Sequence, residues 1–210
     1  LFFRDSDFSP IDIGSTGFPV SLPNPPTGVS ASDGAFTNKV NITWNSVSGI
    51  SGYIVFADGT QIGATTNETI DHTPSPGQLI NYTVASRNSA GIGSQSQGNT
   101  GWMKLTAPSI LTASNNLSDR INLSWSPVSG ATGYKVYLDP DTTAQLLGVT
   151  SNFSFTDINA VYGQTRKYAV KASCTLGDSA IQPYCHGFSD SISSRNASIR
   201  NISIKWFFCR

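Results

Sequence analysis

The chain has 210 residues, with 13 Lys+Arg against 13 Asp+Glu, and is only 12% charged, where an average globular protein is about 25% charged. Ser, Thr, Asn and Gly make up 84 residues, 40% of the chain, so neutral hydroxyl and amide groups dominate its surface. The balanced charge argues against nucleic-acid binding, the absence of an apolar run near the roughly 20 residues of a bilayer span argues against a membrane helix, and 38% apolar content argues against disorder.

In chain order, residues 1–25 form an apolar extension containing Phe2, Phe3, Phe8 and Phe18. Leu1–Pro10 does not read as a signal peptide, and a first residue of Leu reads as a processed or truncated chain. From residue 26 the apolar period is 2. Val40, Ile42 and Trp44 alternate with Asn41 and Thr43, which predicts a strand with one buried face. Tyr53/Val55 predict a second strand and Ile80/Tyr82/Val84 a later one, with Ser48-Gly49, Asp58-Gly59, Pro76-Gly77 and Ala90-Gly91 as turns between them. The whole unit then recurs. Ile121-Asn-Leu-Ser-Trp125 matches Val40–Trp44 at an offset of 81, Tyr134/Val136 match Tyr53/Val55, and Tyr168/Val170 match Tyr82/Val84 at 86. A longer stretch around Asp139–Leu147 accounts for the growing offset. The expected fold is all-β, two tandem β-sandwiches.

A Pro-started first strand, Trp44 and Trp125 in the second, Gly52-Tyr53-Ile-Val55 and Gly133-Tyr134-Lys-Val136 in the third, and Pro76-Gly77 ahead of Tyr82-Thr-Val84 resemble tandem fibronectin type III modules. The turn Asn88-Ser-Ala-Gly91-Ile-Gly-Ser94 fits the same family. The resemblance implies an immunoglobulin-like module at 26–104, a second at 105–195, and an adhesive, spacer or structural role without catalysis. The family's corner-tyrosine position falls on Ile80 and Arg166, and Cys174–Cys185 reads as a long loop joining the last two strands.

Candidate chemistry is sparse. His72 and His186 lie in different repeats, and His72, in Asp71-His-Thr-Pro, reads as an exposed loop residue. Twelve of the thirteen acids are Asp, and Asp33, Asp58, Asp71, Asp139, Asp141 and Asp157 suit turns. Asp139-Pro-Asp141 offers too few oxygens for calcium, which takes six or more ligands. Cys174 and Cys185 flank the predicted loop and are expected to pair as a disulfide, worth about 2–3 kcal/mol and placing the chain outside the cytosol. The rival, a Cys₃His zinc site of Cys174, Cys185, His186 and Cys209, lacks the usual ligand spacing. Asn-x-Ser/Thr occurs at Asn41, Asn67, Asn81, Asn116, Asn122, Asn152, Asn196 and Asn201. These sites read equally as N-glycan acceptors or as the polar face of strands. No cofactor or metal is expected.

The junction Thr100-Gly-Trp102-Met-Lys-Leu105-Thr-Ala-Pro108 is short and apolar, which predicts a semi-rigid joint. Residues 196–210 form a second extension, in which Ala197, Ile199, Ile202, Ile204 and Trp206 alternate like a bulged strand ahead of Phe207 and Phe208. The two tails hold six of the eleven Phe. They pack either on their own modules or, by strand addition, on another copy. The expected function is a non-catalytic extracellular spacer, adhesin or fibre subunit, whose partners are other copies of itself or a cell-surface protein or glycan. The alternatives are accessory modules of a secreted polysaccharide-degrading enzyme, or a carbohydrate-binding module with a row of exposed aromatics.

Overall fold

The computed structural model describes residues 20–189 apart from 110, 116, 118, 142, 182 and 183. The tail residues Phe2, Phe3, Phe8, Phe18, Ile202, Ile204, Trp206, Phe207 and Phe208 therefore lie outside the described residues, as do Asn116, Asn196, Asn201 and Cys209.

Alternation produces the strands where it is strongest. In β2 (Val40–Thr43) the side chains of Val40 and Ile42 are fully buried while Asn41 and Thr43 point away from the core. Antiparallel neighbours β1 (Ser30–Ala31) and β5 (Thr69–His72) complete a three-stranded sheet. The opposing sheet runs β4 (Thr60–Thr65), β3 (Gly52–Ala57), β6 (Leu79–Asn88), and the far edge of β6 is shared by β7 (Gly91–Gln95) and β8 (Asn99–Trp102). Val40, Ile42 and Trp44 of the first sheet meet Tyr53, Val55, Tyr82 and Val84 of the second in one core. Each fully buried aliphatic side chain contributes about 1.5–3 kcal/mol, so the period-2 pattern outweighs any single turn preference in fixing register.

The second unit repeats this plan. β9 (Leu111–Ala113), β10 (Ile121–Trp125) and β13 (Ser154–Asp157) form the smaller sheet. β12 (Gln145–Thr150), β11 (Gly133–Leu138) and β14 (Thr165–Cys174) form the larger, with β15 (Gly177–Asp178) and β16 (Tyr184–Phe188) sharing the last edge. Its core gathers Leu105, Leu111, Ile121, Leu123, Trp125, Tyr134, Val136, Tyr168 and Val170. In both units the tryptophan stacks near the next strand's tyrosine, Trp44 to Tyr53 at 5.3 Å and Trp125 to Tyr134 at 5.4 Å. Each tyrosine hydroxyl accepts a backbone N–H across the intervening turn, from Val47 at 3.0 Å and Val128 at 2.9 Å. The all-β expectation of two tandem sandwiches is met.

One expectation fails on register. Cys174–Cys185 is not a long loop, because Thr175–Leu176 is a tight turn and β15 resumes pairing at once. The first unit has the same spacing, with Asn88 opposite Gly91 and Tyr82 opposite Asn99. Cys174 therefore stands opposite Gly177, while Cys185 stands opposite Tyr168, six residues further down β14. At about 3.4 Å per residue that is roughly 20 Å, far beyond the ~7 Å Cα separation a disulfide tolerates. The expected Cys174–Cys185 disulfide is not formed. Cys174 instead donates weakly to the Gly177 carbonyl at 3.4 Å, and Cys185 belongs to the core.

Candidate functional site

The two cores share no member. The first closes with Met103 and the second opens with Leu105, which leaves only Lys104 between them. That short connection is pinned. The Lys104 N–H donates to the Phe36 carbonyl at 2.8 Å, and the Gly77 N–H donates to the Met103 carbonyl at 2.9 Å. Trp102 lies between Gly34 of the first unit and Gly177 of the second. A Cβ on Gly34 would fall 2.4 Å from the indole, and one on Gly177 would fall 3.2 Å from it. The Pro76-Gly77 turn meets the second unit head on. A Cβ on Gly130 would sit 2.0 Å from the Pro76 carbonyl oxygen, and one on Gly77 would sit 3.1 Å from Cys174 Sγ. Gly130 has φ +78° and Gly77 φ +70°, a region that favours glycine on backbone grounds as well. The junction is a formed contact between turns, built where a side chain would not fit.

A buried polar handle in each unit was not foreseen. Tyr82, fully buried, shares a 2.9 Å hydrogen bond with His72 Nδ1. His72 ends β5 and is half-buried, so the exposed-loop reading is corrected. Burial holds its imidazole below the ordinary pKa, and burial, aided by the Asp58 carboxylate, pushes the Tyr82 hydroxyl up to about 12. In the second unit the register-equivalent of His72 is Asp157, which is buried and also serves the turn after it, its Oδ1 accepting from the Asn159 N–H at 3.0 Å. Tyr168 donates its hydroxyl to Asp157 Oδ2 at 2.7 Å, and Arg166 Nη1 donates to the same oxygen at 2.8 Å. Burial first, then this bond to Asp157, raises the Tyr168 pKa. Arg166 and Ile80, the two positions where the family pattern places its corner tyrosine, thus differ for a reason. The arginine accompanies a buried carboxylate and the isoleucine a neutral imidazole.

The other candidates are dispersed. Asn67, Asn81, Asn122 and Asn152 are exposed, and Asn41 is half-buried and bonded through its amide to Thr69 and Asp71. Among the described residues no three His, Cys, Asp or Glu side chains converge on a metal-sized site. Asp141, one of the two calcium candidates, pairs with Lys167. Among the described residues the exposed aromatics Phe36, Phe153 and Tyr162 lie on separate loops. No described helix is long and apolar enough to cross a membrane.

No family model matches the sequence, and no curated protein matches it. Among solved structures, a two fibronectin type III domain segment of chicken tenascin is similar at 13% identity and TM-score 0.59, over 78% of this chain and 98% of that one. The chicken CNTN1 FN1-FN3 domains match at 21% identity and TM-score 0.37, over 79% of this chain and 65% of that one. The tenascin likeness concerns fold alone. This chain has the fold of two tandem fibronectin type III modules.

Proposed function

We propose that the chain is a non-catalytic extracellular structural protein, a two-module spacer that serves as a repeating subunit of a cell-surface fibre or adhesive layer. The formed junction carries this reading. A spacer transmits distance or force only if its modules keep their mutual orientation, and here one residue separates two cores while turn packs on turn. The outward Asn at 67, 81, 122 and 152 supports an exported, glycan-accepting surface. A Cys174–Cys185 pairing no longer speaks for an oxidising compartment, since the register keeps the two apart.

The test is small-angle scattering and inter-module residual dipolar couplings on the full chain beside a Gly130→Val variant. One fixed arrangement should fit the unaltered chain, and the variant, whose side chain would strike the Pro76 carbonyl, should need an ensemble. If the unaltered chain already needs a broad ensemble, the spacer reading fails. Export is checked separately by mass loss of the native protein under peptide-N-glycosidase. Native material unmodified at all four exposed Asn would remove that support.

A further inference from the structure

Among the described residues, each face of the internal junction has an equivalent in the other module that no turn fills. On the exit side, the Gly77 N–H donates to the Met103 carbonyl at 2.9 Å, and at the equivalent place in the second module the Gly163 N–H donates to the Ser189 carbonyl at 2.9 Å. Pro76-Gly77 and Tyr162-Gly163 are therefore the same turn in two modules, with φ +70° and +76° at the glycines. On the entry side, Gly130 (φ +78°) corresponds to Gly49 (φ +72°), and Gly177 to Gly91. Trp102 covers Gly177, and Leu22 covers Gly91 in the same way, with a Cβ on that glycine only 3.0 Å from Leu22 Cδ2. The segment entering the first module thus follows the path that residues after Trp102 follow into the second.

What differs is occupancy. At the internal junction Pro76-Gly77 fills the space against Leu105, Gly130 and Cys174. The corresponding space in the first module is an open groove of about 490 Å³ lined by Val20, Leu22, Val47, Gly49 and Asn88. A Cβ on Gly49 would meet nothing within 4 Å, and neither would one on Gly163. Apolar side chains are exposed at both surfaces, at the groove among the polar Ser21, Asn24, Ser48 and Asn88. Tyr162 and Ile158 beside the vacant turn are 60% and 73% exposed, and Val20 and Leu22 at the groove are 57% and 56% exposed.

We propose that the Tyr162-Gly163 turn of one copy docks in the Val20–Leu22–Gly49 groove of a second copy, repeating the internal Pro76-Gly77/Gly130 contact between molecules. The proposal rests on the fibre-subunit reading and names its contact. The surfaces joined are different, so the contact is heterologous and copies add head to tail.

The experiment is sedimentation velocity of the full chain from micromolar to millimolar, with exit variant Tyr162→Lys and entry variant Leu22→Asp. Both positions are exposed, and circular dichroism confirms folding. The unaltered chain should form concentration-dependent oligomers, and each variant alone should stay monomeric. An equimolar mixture should stop at a dimer, because each variant keeps one working end and the two working ends are complementary. An unaltered chain that stays monomeric throughout overturns the proposal, as do oligomers indifferent to both substitutions, or a mixture that stays monomeric. A rigid but monomeric chain overturns this contact and leaves the spacer reading standing, whereas a flexible junction defeats the spacer reading by itself.

Discussion

Trp125→Ala tests whether the two modules are separate cooperative units. The Trp125 side chain is nearly buried, packs 5.4 Å from Tyr134, and lies in a core with Leu111, Leu123 and Val136. Removing it leaves a cavity that costs about 3–5 kcal/mol and forfeits an aromatic contact worth roughly 0.5–1.5 kcal/mol. A domain of this size is stable by about 5–15 kcal/mol, so the second module loses roughly a fifth of its stability at the least. At about 4–8 °C per kcal/mol for a domain under a hundred residues, its midpoint should fall by roughly 12–40 °C. Calorimetry of the full chain should show the second transition moving by that amount while the first stays, because Trp125 contacts nothing in the first core. Trp44→Ala should do the reverse. Equal movement of both transitions under either substitution would refute the two-core account, and no movement under either would refute the buried placement of these rings.

The polar handles make two further predictions. Tyr168→Phe strips a hydrogen bond from the buried Asp157 carboxylate and should cost about 1–3 kcal/mol, whereas Tyr82→Phe strips one from a neutral imidazole and should cost about 0.5–1.5 kcal/mol; urea titrations giving the opposite order would contradict the assigned charges. His72 has a folded-state pKa below its unfolded value near 6.5, so the unfolded chain takes up the proton first. Its stabilising contribution is therefore complete above about pH 6.5 and is lost as pH falls through the window beneath it. The first module should melt lower at pH 5 than at pH 7 and His72→Gln should flatten that slope, while a first transition that rises on acidification would have the sign wrong. Asp71, whose carboxyl the hydrogen bonds from Lys39 and Asn41 hold below the ordinary range, acts only at lower pH.

The fold was readable because burial in a sandwich is periodic. Val40, Ile42 and Trp44 against Ile121, Leu123 and Trp125 place two strands and their faces without further information, and the shared offset makes the duplication plain. The separation of Cys174 from Cys185 has no local signal in the sequence. Thr175 and Leu176 carry no turn signature of their own, so the hairpin was hidden, although the unchanged spacing from Asn88 to Asn99 would have exposed it. The junction was half legible. Its short apolar connection was evident, but Gly130 and Pro76 are far apart in sequence, and only the folded units bring one turn against the other. The His72–Tyr82 and Asp157–Tyr168 handles carry no local signal, since each joins a strand end in one sheet to the centre of a strand in the other.

Duplication also explains why the two handles could diverge without loss of fold. A buried tyrosine hydroxyl needs a partner, and His72 and Asp157 both supply one from the same strand position. A buried carboxylate has a further requirement, because an uncompensated charge in a core costs several kcal/mol, whereas a neutral imidazole has none. Arg166 meets that requirement in the second module, and Ile80 in the first replaces it with apolar packing. The substitutions therefore make sense only in pairs. Exchanging Asp157 for His alone would strand Arg166, and exchanging His72 for Asp alone would bury a carboxylate beside Ile80. The first module is left with an uncharged handle and the second with an ion pair, so the same strand position carries no charge in one module and a compensated charge in the other.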